Sequence, residues 1–246
     1  MINEMTQLMQ SHRSIRRYTS EPVPDEVIEQ ICNSAQWAPS SNNIQAYSII
    51  VVQDPEKKTS LAEFCGDQKW VANCPVFLVF CGDFYRLHRV SKLQGTNFAI
   101  HEVENLLVGA IDTALAAENA LLAARSLGLG GVMIGGIRNN PGLVAALLKL
   151  PRYVLPMMGL CLGYPGDNPG QKPRLPHRAV VHQETYQETG LEAALQEYDV
   201  ITVDYYSRRT GGQRAEGWLE QMGSYLSTPR RPHLKKFIVK QGFELI

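Results

Sequence analysis

The sequence predicts an α+β fold. Helical and strand-like segments follow one another without the regular alternation that a doubly wound parallel sheet requires. Short apolar runs read as buried strands, and one long apolar stretch, Val103 to Leu127, reads as a core or interface helix. With 246 residues, 44% of them hydrophobic, the chain can bury a substantial core in one large domain or two small ones.

A short helical segment precedes His12. Asp25 to Gln36 follows Pro22 and Pro24 and carries Val27, Ile28, Ile31, Cys32 and Ala35 at helical spacing. Pro39-Ser40-Ser41-Asn42-Asn43 breaks that helix, and Tyr47 to Val52 reads as a buried strand. Asp54-Pro55 closes the strand, and a helix fits Lys57 to Phe64. A second buried strand, Val76 to Cys81, stops at Gly82-Asp83. The long helix places Leu107, Ala110, Ile111, Ala114, Leu115, Ala117 and Leu121 on one broad face, and Gly128 and Gly130 supply its stop. Val132 to Ile134 is short and strand-like, Pro141 to Leu150 is helical, and Pro156 to Gly163 is a third apolar run. The loop Tyr164 to Pro176 follows. After Gln183 the texture turns polar and helical: Glu192 to Tyr206, a Gly-rich basic loop, then a final helical stretch.

Composition narrows the function. Basic and acidic residues balance at 24 each, which argues against a nucleic-acid coat or a polybasic membrane anchor. The N-terminus shows no signal-peptide pattern. Asp112, Glu118, Asn119 and Arg125 inside the most apolar segment argue against a membrane span. Five cysteines, odd in number and without a CxxC pair, fit a reduced, cytoplasmic protein. The six histidines show no metal spacing, and no GxxxxGK[ST], HExxH or GxSxG motif occurs.

Against that neutral background, cations crowd at two places: His12-Arg13-Ser14-Ile15-Arg16-Arg17 and Lys172-Pro173-Arg174. Forked guanidiniums beside a hydroxyl and an ammonium suit a fixed phosphate, so the two clusters read as a clamp for a phosphorylated cofactor. Taken alone, Arg13, Arg16 and Arg17 fit a solvated helix start at least as well. Gly128-Leu129-Gly130-Gly131 is not a dinucleotide fingerprint, because the order is helix, glycines, strand. Gly135-Gly136 follows a strand and precedes Arg138-Asn139-Asn140, where bare backbone would let a flat ligand approach; a simple turn reads equally well. A phosphate clamp without a protein-borne nucleophile or acid–base pair leaves the chemistry to the cofactor.

In ordered combination these pieces resemble the flavin-dependent nitroreductase family, in particular its NADPH-preferring branch of oxygen-insensitive nitroreductases and NADPH–flavin oxidoreductases. The likeness spans nearly the whole chain. It is carried by His12 to Arg16, Ser40-Ser41, Gly66-Asp67-Gln68-Lys69, Ile134 to Asn140, Lys172 to Pro176 and Tyr205 to Trp218.

The resemblance implies a central, mainly antiparallel sheet flanked by helices in an intertwined homodimer with FMN at the interface. It implies one domain over residues 1–246, with a helical C-terminal portion from about 184 that carries an NADPH-binding loop. His12, Arg13, Ser14, Lys172 and Arg174 would bind the FMN phosphate tail. Arg16 and Gln68 would face the pyrimidine edge of the ring, where a guanidinium favours negative charge. Ser40, Ser41 and Asn42 would approach the flavin from the other subunit, and Ile134, Gly135 and Gly136 would line it near N5. Arg209 and Arg214 would hold the 2′-phosphate of NADPH. Met133 and Asn43 stand where close relatives often carry aromatics, which implies a substrate pocket of different shape and polarity.

The implied activity is hydride transfer from NADPH through flavin N5, by a ping-pong cycle, to nitroaromatics, quinones or free flavin. The same chemistry fits a flavin reductase that supplies reduced FMN to a partner. A non-catalytic phosphate-ligand sensor or a nucleic-acid binder using the C-terminal basic stretch is the remaining reading, and zero net charge with few aromatics near that stretch counts against nucleic acid.

Overall fold

The structure, a computed structural model, describes residues 3–100 and 102–243. It divides into two compact units: one runs to Pro169 and resumes at Arg231, and the other is Gly170–Arg230.

The first unit opens with helix α1 (Glu4–Gln10), capped reciprocally by Asn3 and Thr6. Helix α2 (Asp25–Gln36) begins after Pro24, which cannot extend a helix backwards, and buries Ile28, Ile31 and Ala35. A single 3₁₀ turn at Ser41–Asn43 leads into strand β1 (Tyr47–Val52). Helix α3 (Pro55–Phe64) starts where the Asp54 side chain accepts from the Glu56 and Lys57 amides. Helix α4 (Lys69–Asn73), strand β2 (Val76–Asp83), helix α5 (Tyr85–Gln94) and helix α6 (Val103–Ser126) follow. Strand β3 (Gly130–Ile134), a 3₁₀ turn at Gly135–Arg138, helix α7 (Pro141–Leu147) and strand β4 (Val154–Gly163) complete the sheet region. In the second unit lie helix α8 (Leu191–Arg209) and helix α9 (Trp218–Leu226); helix α10 (Leu234–Lys240) belongs to the first.

The four strands form one antiparallel sheet in the order β1-β2-β4-β3. Strand β2 is buried along its whole length, which explains its continuous apolar sequence. Leu78 and Phe80 face a cluster built with α2 and α6, while Phe77, Val79 and Cys81 face a second cluster that includes Leu61 of α3 and Val144 of α7. Four of the five cysteines are buried and all are free thiols. Burial pushes the Cys65 and Cys81 thiols up to about 12, so these groups pack as small hydrophobes.

Two expectations need correction. Helix α6 does not present one broad face: Ala117 and Leu121 are buried with Val108, Ala116, Ala120 and Ala124, whereas Leu107, Ile111 and Leu115 are exposed. A helix that is apolar all round gives periodicity nothing with which to choose its inner face. By length and composition α6 could cross a membrane, yet it packs along α2 and the strands and buries Asp112 completely. Gly130 is a sheet residue, so the helix stop falls to Gly128 alone, at φ +83°. A Cβ on Gly130 would sit 2.4 Å from the Ile15 side chain, which accounts for the second glycine. Helices α4 and α5 go beyond the expected elements: α4 is only five residues long, and α5 has no fully buried side chain, with Leu87 partly covered and Val90 and Leu93 exposed.

Within the second unit, Ala194, Tyr198, Thr202 and Tyr206 form a buried stripe along α8 at intervals of four residues. The Tyr198 hydroxyl donates to the Pro173 carbonyl at 3.0 Å, and its ring meets Trp218 edge-on.

Candidate functional site

The His12–Arg17 segment lies along the free edge of β3. Ile15 donates its amide to the Gly131 carbonyl at 3.0 Å, and Ser14 bridges Gly131 in parallel register. The Tyr18 hydroxyl donates back to the Ile15 carbonyl at 2.8 Å. Burial pushes that hydroxyl far above its ordinary range, so it stays protonated as a donor. The cationic segment is therefore fixed by the sheet and is not a helix start.

From this edge the basic side chains reach two places. The exposed Arg16 guanidinium lies over the Trp70 ring, 5.6 Å from its centroid, at the start of α4. Arg13 instead lines a cavity of about 360 Å³ with Ser11, Ile15, Arg125, Gly130 and Asp167. Its Nε is buried without a hydrogen-bond partner. Arg125 is held below its ordinary value, chiefly by burial and in part by Arg13, with Glu118 opposing. The Arg125 guanidinium donates to the Leu8 carbonyl and to the Ser11 hydroxyl, so of the two cations lining the cavity it is Arg13 that keeps an unused donor.

Gln68 is the N-cap residue of α4 and approaches the glycine turn after β3. It donates through Nε2 to the Cys65 carbonyl at 2.8 Å. Asn139 donates to the same carbonyl at 3.1 Å, and Asn140 donates to that of Phe64 at 3.1 Å. Arg231 in turn holds the Asn139 side-chain oxygen at 2.8 Å. These bonds tie the Gly66–Lys69 loop to the Gly135–Arg138 turn. A Cβ on Gly136 would stand 2.4 Å from Gln68 Nε2 and 2.5 Å from the Cys65 carbonyl, so the protein itself demands this glycine. Gly135 is different: it is half-buried, and the nearest atom to an added Cβ is Arg138 Nη2 at 3.3 Å. The structure thus gathers Arg16, Gln68, Gly135 and Gly136 around the end of β3. Gly136→Ala should cost roughly 1–3 kcal/mol by overpacking and press on Gln68 and the Cys65 carbonyl; a thermal melt checks the cost.

Ser40, Ser41 and Asn42 sit on a separate loop of the same unit, and its anchor is Asp112. This fully buried carboxylate of α6 accepts from the Ser41 amide and the Ala46 amide, each at 3.0 Å. The Ser40 hydroxyl accepts from the Gln45 amide at 3.2 Å, and Arg86 donates to the Gln45 carbonyl at 2.9 Å and to that of Tyr47. Between these ties, Asn42, Asn43 and Gln45 hold φ of 47°, 55° and 52°. Left-handed backbone at three non-glycine residues persists only where the surroundings hold it. In the sequence Asp112 counts only against a membrane span. Its signal was an acid in the middle of an apolar helix.

Lys172, Arg174, Arg209 and Arg214 belong to the second unit. Arg174 is exposed and donates to the Lys172 carbonyl at 2.9 Å. Arg209 donates to the Tyr205 hydroxyl at 2.7 Å, beside the end of α8. Arg214 lies over the Tyr206 ring at 3.9 Å and Lys172 over the same ring at 5.5 Å. Among the described residues no cluster of His, Cys, Asp or Glu is arranged to hold a metal.

The edge of β3 thus carries an exposed guanidinium, a buried donor without a partner and an open glycine turn. Family comparison gives the chain its place. Residues 9–164 match the nitroreductase family model and residues 172–246 the model of that family's C-terminal domain. The chain belongs to the nitroreductase family. It is 43% identical to the "FMN reductase [NAD(P)H]" of Bacillus subtilis, over 99% of both chains. To the "Oxygen-insensitive NADPH nitroreductase" of Salmonella typhimurium it is 44% identical, over 96% of this chain and 97% of that protein. The structure of B. megaterium NfrA2 superposes with a TM-score of 0.97 at 43% identity, covering 100% of each chain. The expected antiparallel α+β fold of that family is the fold observed.

Proposed function

We propose that the protein is an FMN-dependent oxidoreductase that draws reducing equivalents from NADPH and delivers them in pairs to nitroaromatics, quinones or free flavin. Its relatives' names, FMN reductase and NADPH nitroreductase, support this reading. The observation that carries it is the grouping of Arg16, Gln68, Gly135 and Gly136 at the end of β3. FMN held by the residues below would supply the chemistry, that of an exchangeable two-electron hydride carrier.

The chain's own residues bind and orient. His12, Arg13 and Ser14 offer imidazole, guanidinium and hydroxyl donors to a phosphate, and the unpartnered Arg13 Nε fits that role. Lys172 and Arg174 bring further cations for the same class of ligand group. Arg16 and Gln68 offer hydrogen-bond donors and positive charge to the pyrimidine edge. Ile134, Gly135 and Gly136 present backbone to the ring, and no side chain beyond Arg138 crowds Gly135. Arg209 and Arg214 take the 2′-phosphate of NADPH. A single open face serving coenzyme and acceptor in turn gives ping-pong kinetics.

The test is an anaerobic half-reaction: NADPH should bleach the flavin absorbance of the purified protein before any acceptor is added. Retention of the oxidised spectrum under NADPH would refute the proposal. Turnover of free FMN against a nitrofuran then separates flavin reductase from nitroreductase.

The protein acts as a homodimer in this reading. Val103, Leu107, Ile111 and Leu115 form an exposed apolar stripe along α6 at four-residue intervals, the kind of surface that a partner covers. Ser40, Ser41 and Asn42 would complete the partner's flavin site. Paired Leu107→Glu and Ile111→Glu substitutions should yield a monomer that binds FMN poorly, measured by light scattering and flavin content. A dimer that survives both charges would exclude this surface.

A further inference from the structure

In the Gly170–Arg230 unit three cations gather on two adjacent tyrosines, and one of them already has an acidic partner. Arg214 and Lys172 share the Tyr206 ring, at 3.9 Å and 5.5 Å, while Arg209 lies 5.8 Å from the Tyr205 centroid. The two rings meet edge to face at 5.1 Å. Gly211 and Gly212, at φ +60° and +83°, turn the chain so that Arg214 comes back over Tyr206. The Arg214 amide donates to Thr210 Oγ1 at 2.9 Å, which fixes that return. Arg214 Nη2 then donates to Glu216 Oε2 at 3.1 Å. Gln221 donates to the Glu216 backbone carbonyl at 3.0 Å, which holds the main chain of Glu216 close to the guanidinium. Other acids nearby are engaged elsewhere: Asp204 pairs with Arg208, and Asp199 accepts from the Leu219 amide at the start of α9.

We infer that Glu216 is a specificity-determining residue: its carboxylate occupies the Arg214 fork and competes with the 2′-phosphate of NADPH for it. The inference rests on the assignment of Arg209 and Arg214 to that phosphate. The side chains of Arg214 and Glu216 are 40% and 38% exposed, so their pair is weak and exchanges readily. A dianionic phosphate makes stronger, shorter charge-assisted bonds to a guanidinium than one carboxylate oxygen does. After exchange the displaced carboxylate remains tethered two residues away and repels the bound phosphate. Glu216 therefore lowers affinity for ligands carrying a 2′-phosphate and has little purchase on those without one.

The experiment measures binding of adenosine 2′,5′-bisphosphate and of 5′-AMP to the FMN-loaded enzyme by calorimetry, with KM for NADPH and NADH alongside. Glu216→Gln keeps the shape and removes the charge. It should tighten adenosine 2′,5′-bisphosphate about two- to five-fold, the scale of an exposed ion pair, lower KM for NADPH by a similar factor and shift 5′-AMP by less. A misfolded loop cannot produce such a gain. Unchanged or weaker binding of adenosine 2′,5′-bisphosphate by Glu216→Gln, while Arg214→Ala weakens it, would overturn the role of Glu216 and leave the coenzyme site standing. If Arg214→Ala also leaves that affinity untouched, the coenzyme assignment itself falls, and the inference with it.

Discussion

Arg209→Ala is expected to raise KM for NADPH by about 10-fold or more and to leave KM for NADH nearly unchanged. Losing a hydrogen bond to a charged group costs about 1.5–3 kcal/mol, and because Arg209 is exposed the lower end applies. The Tyr205 hydroxyl holds this guanidinium at 2.7 Å, so little ordering is left to be done when a phosphate arrives. NADH lacks the 2′-phosphate and so has nothing to lose. Steady-state kinetics with both coenzymes decides the point. Equal losses with the two would remove Arg209 from the coenzyme site, and an unchanged KM for NADPH would do the same.

Asp112→Ala should be the most damaging single substitution outside the residues proposed to contact the cofactor. It leaves the Ser41 and Ala46 amides without their acceptor, at about 1–3 kcal/mol each where such groups stay buried. For a chain of this size that total corresponds to a fall in melting temperature of about 5–15 °C. The left-handed residues Asn42, Asn43 and Gln45 would then relax toward ordinary backbone. Ser40, Ser41 and Asn42 would leave the positions proposed to complete the flavin site. Asp112→Asn keeps one acceptor but turns an amide donor toward the second N–H, so its melting point should fall between those of wild type and Asp112→Ala. Calorimetry with a flavin titration reads both consequences. A variant that melts like the wild type and binds FMN as tightly would show that Asp112 anchors nothing of importance.

How much of this could be read in the chain depends on the distance over which each feature is encoded. Helix α2 was legible to its ends, because Pro24 sets its start and one apolar stripe sets its face. Strand β2 was legible because both its faces are buried, although it runs on to Asp83 and takes in the Gly82-Asp83 stop. The inner face of α6 was not legible, since its small and large apolar residues surround the axis. Segments carrying the site stood out as local anomalies: cations in a neutral chain, two glycines after a strand, and a Ser/Asn-rich break. What fixes those segments did not stand out. Asp112 lies 71 residues from Ser41, and Asn139 lies 74 residues from Cys65, so only folding brings them together. Gly136 illustrates the limit well. The sequence offered a ligand as the reason for its missing side chain, whereas the adjacent Gln68 amide and Cys65 carbonyl already require it.

Titration of the flavin-stripped protein with FMN, followed by quenching of flavin fluorescence, bears most directly on this account. Saturation at one FMN per chain is predicted, with affinity weakened at least ten-fold in Arg16→Ala and restored in part by Arg16→Lys, which returns charge without the fork. Fluorescence that rises linearly with added FMN, with no saturable component, would show that the edge of β3 holds no flavin.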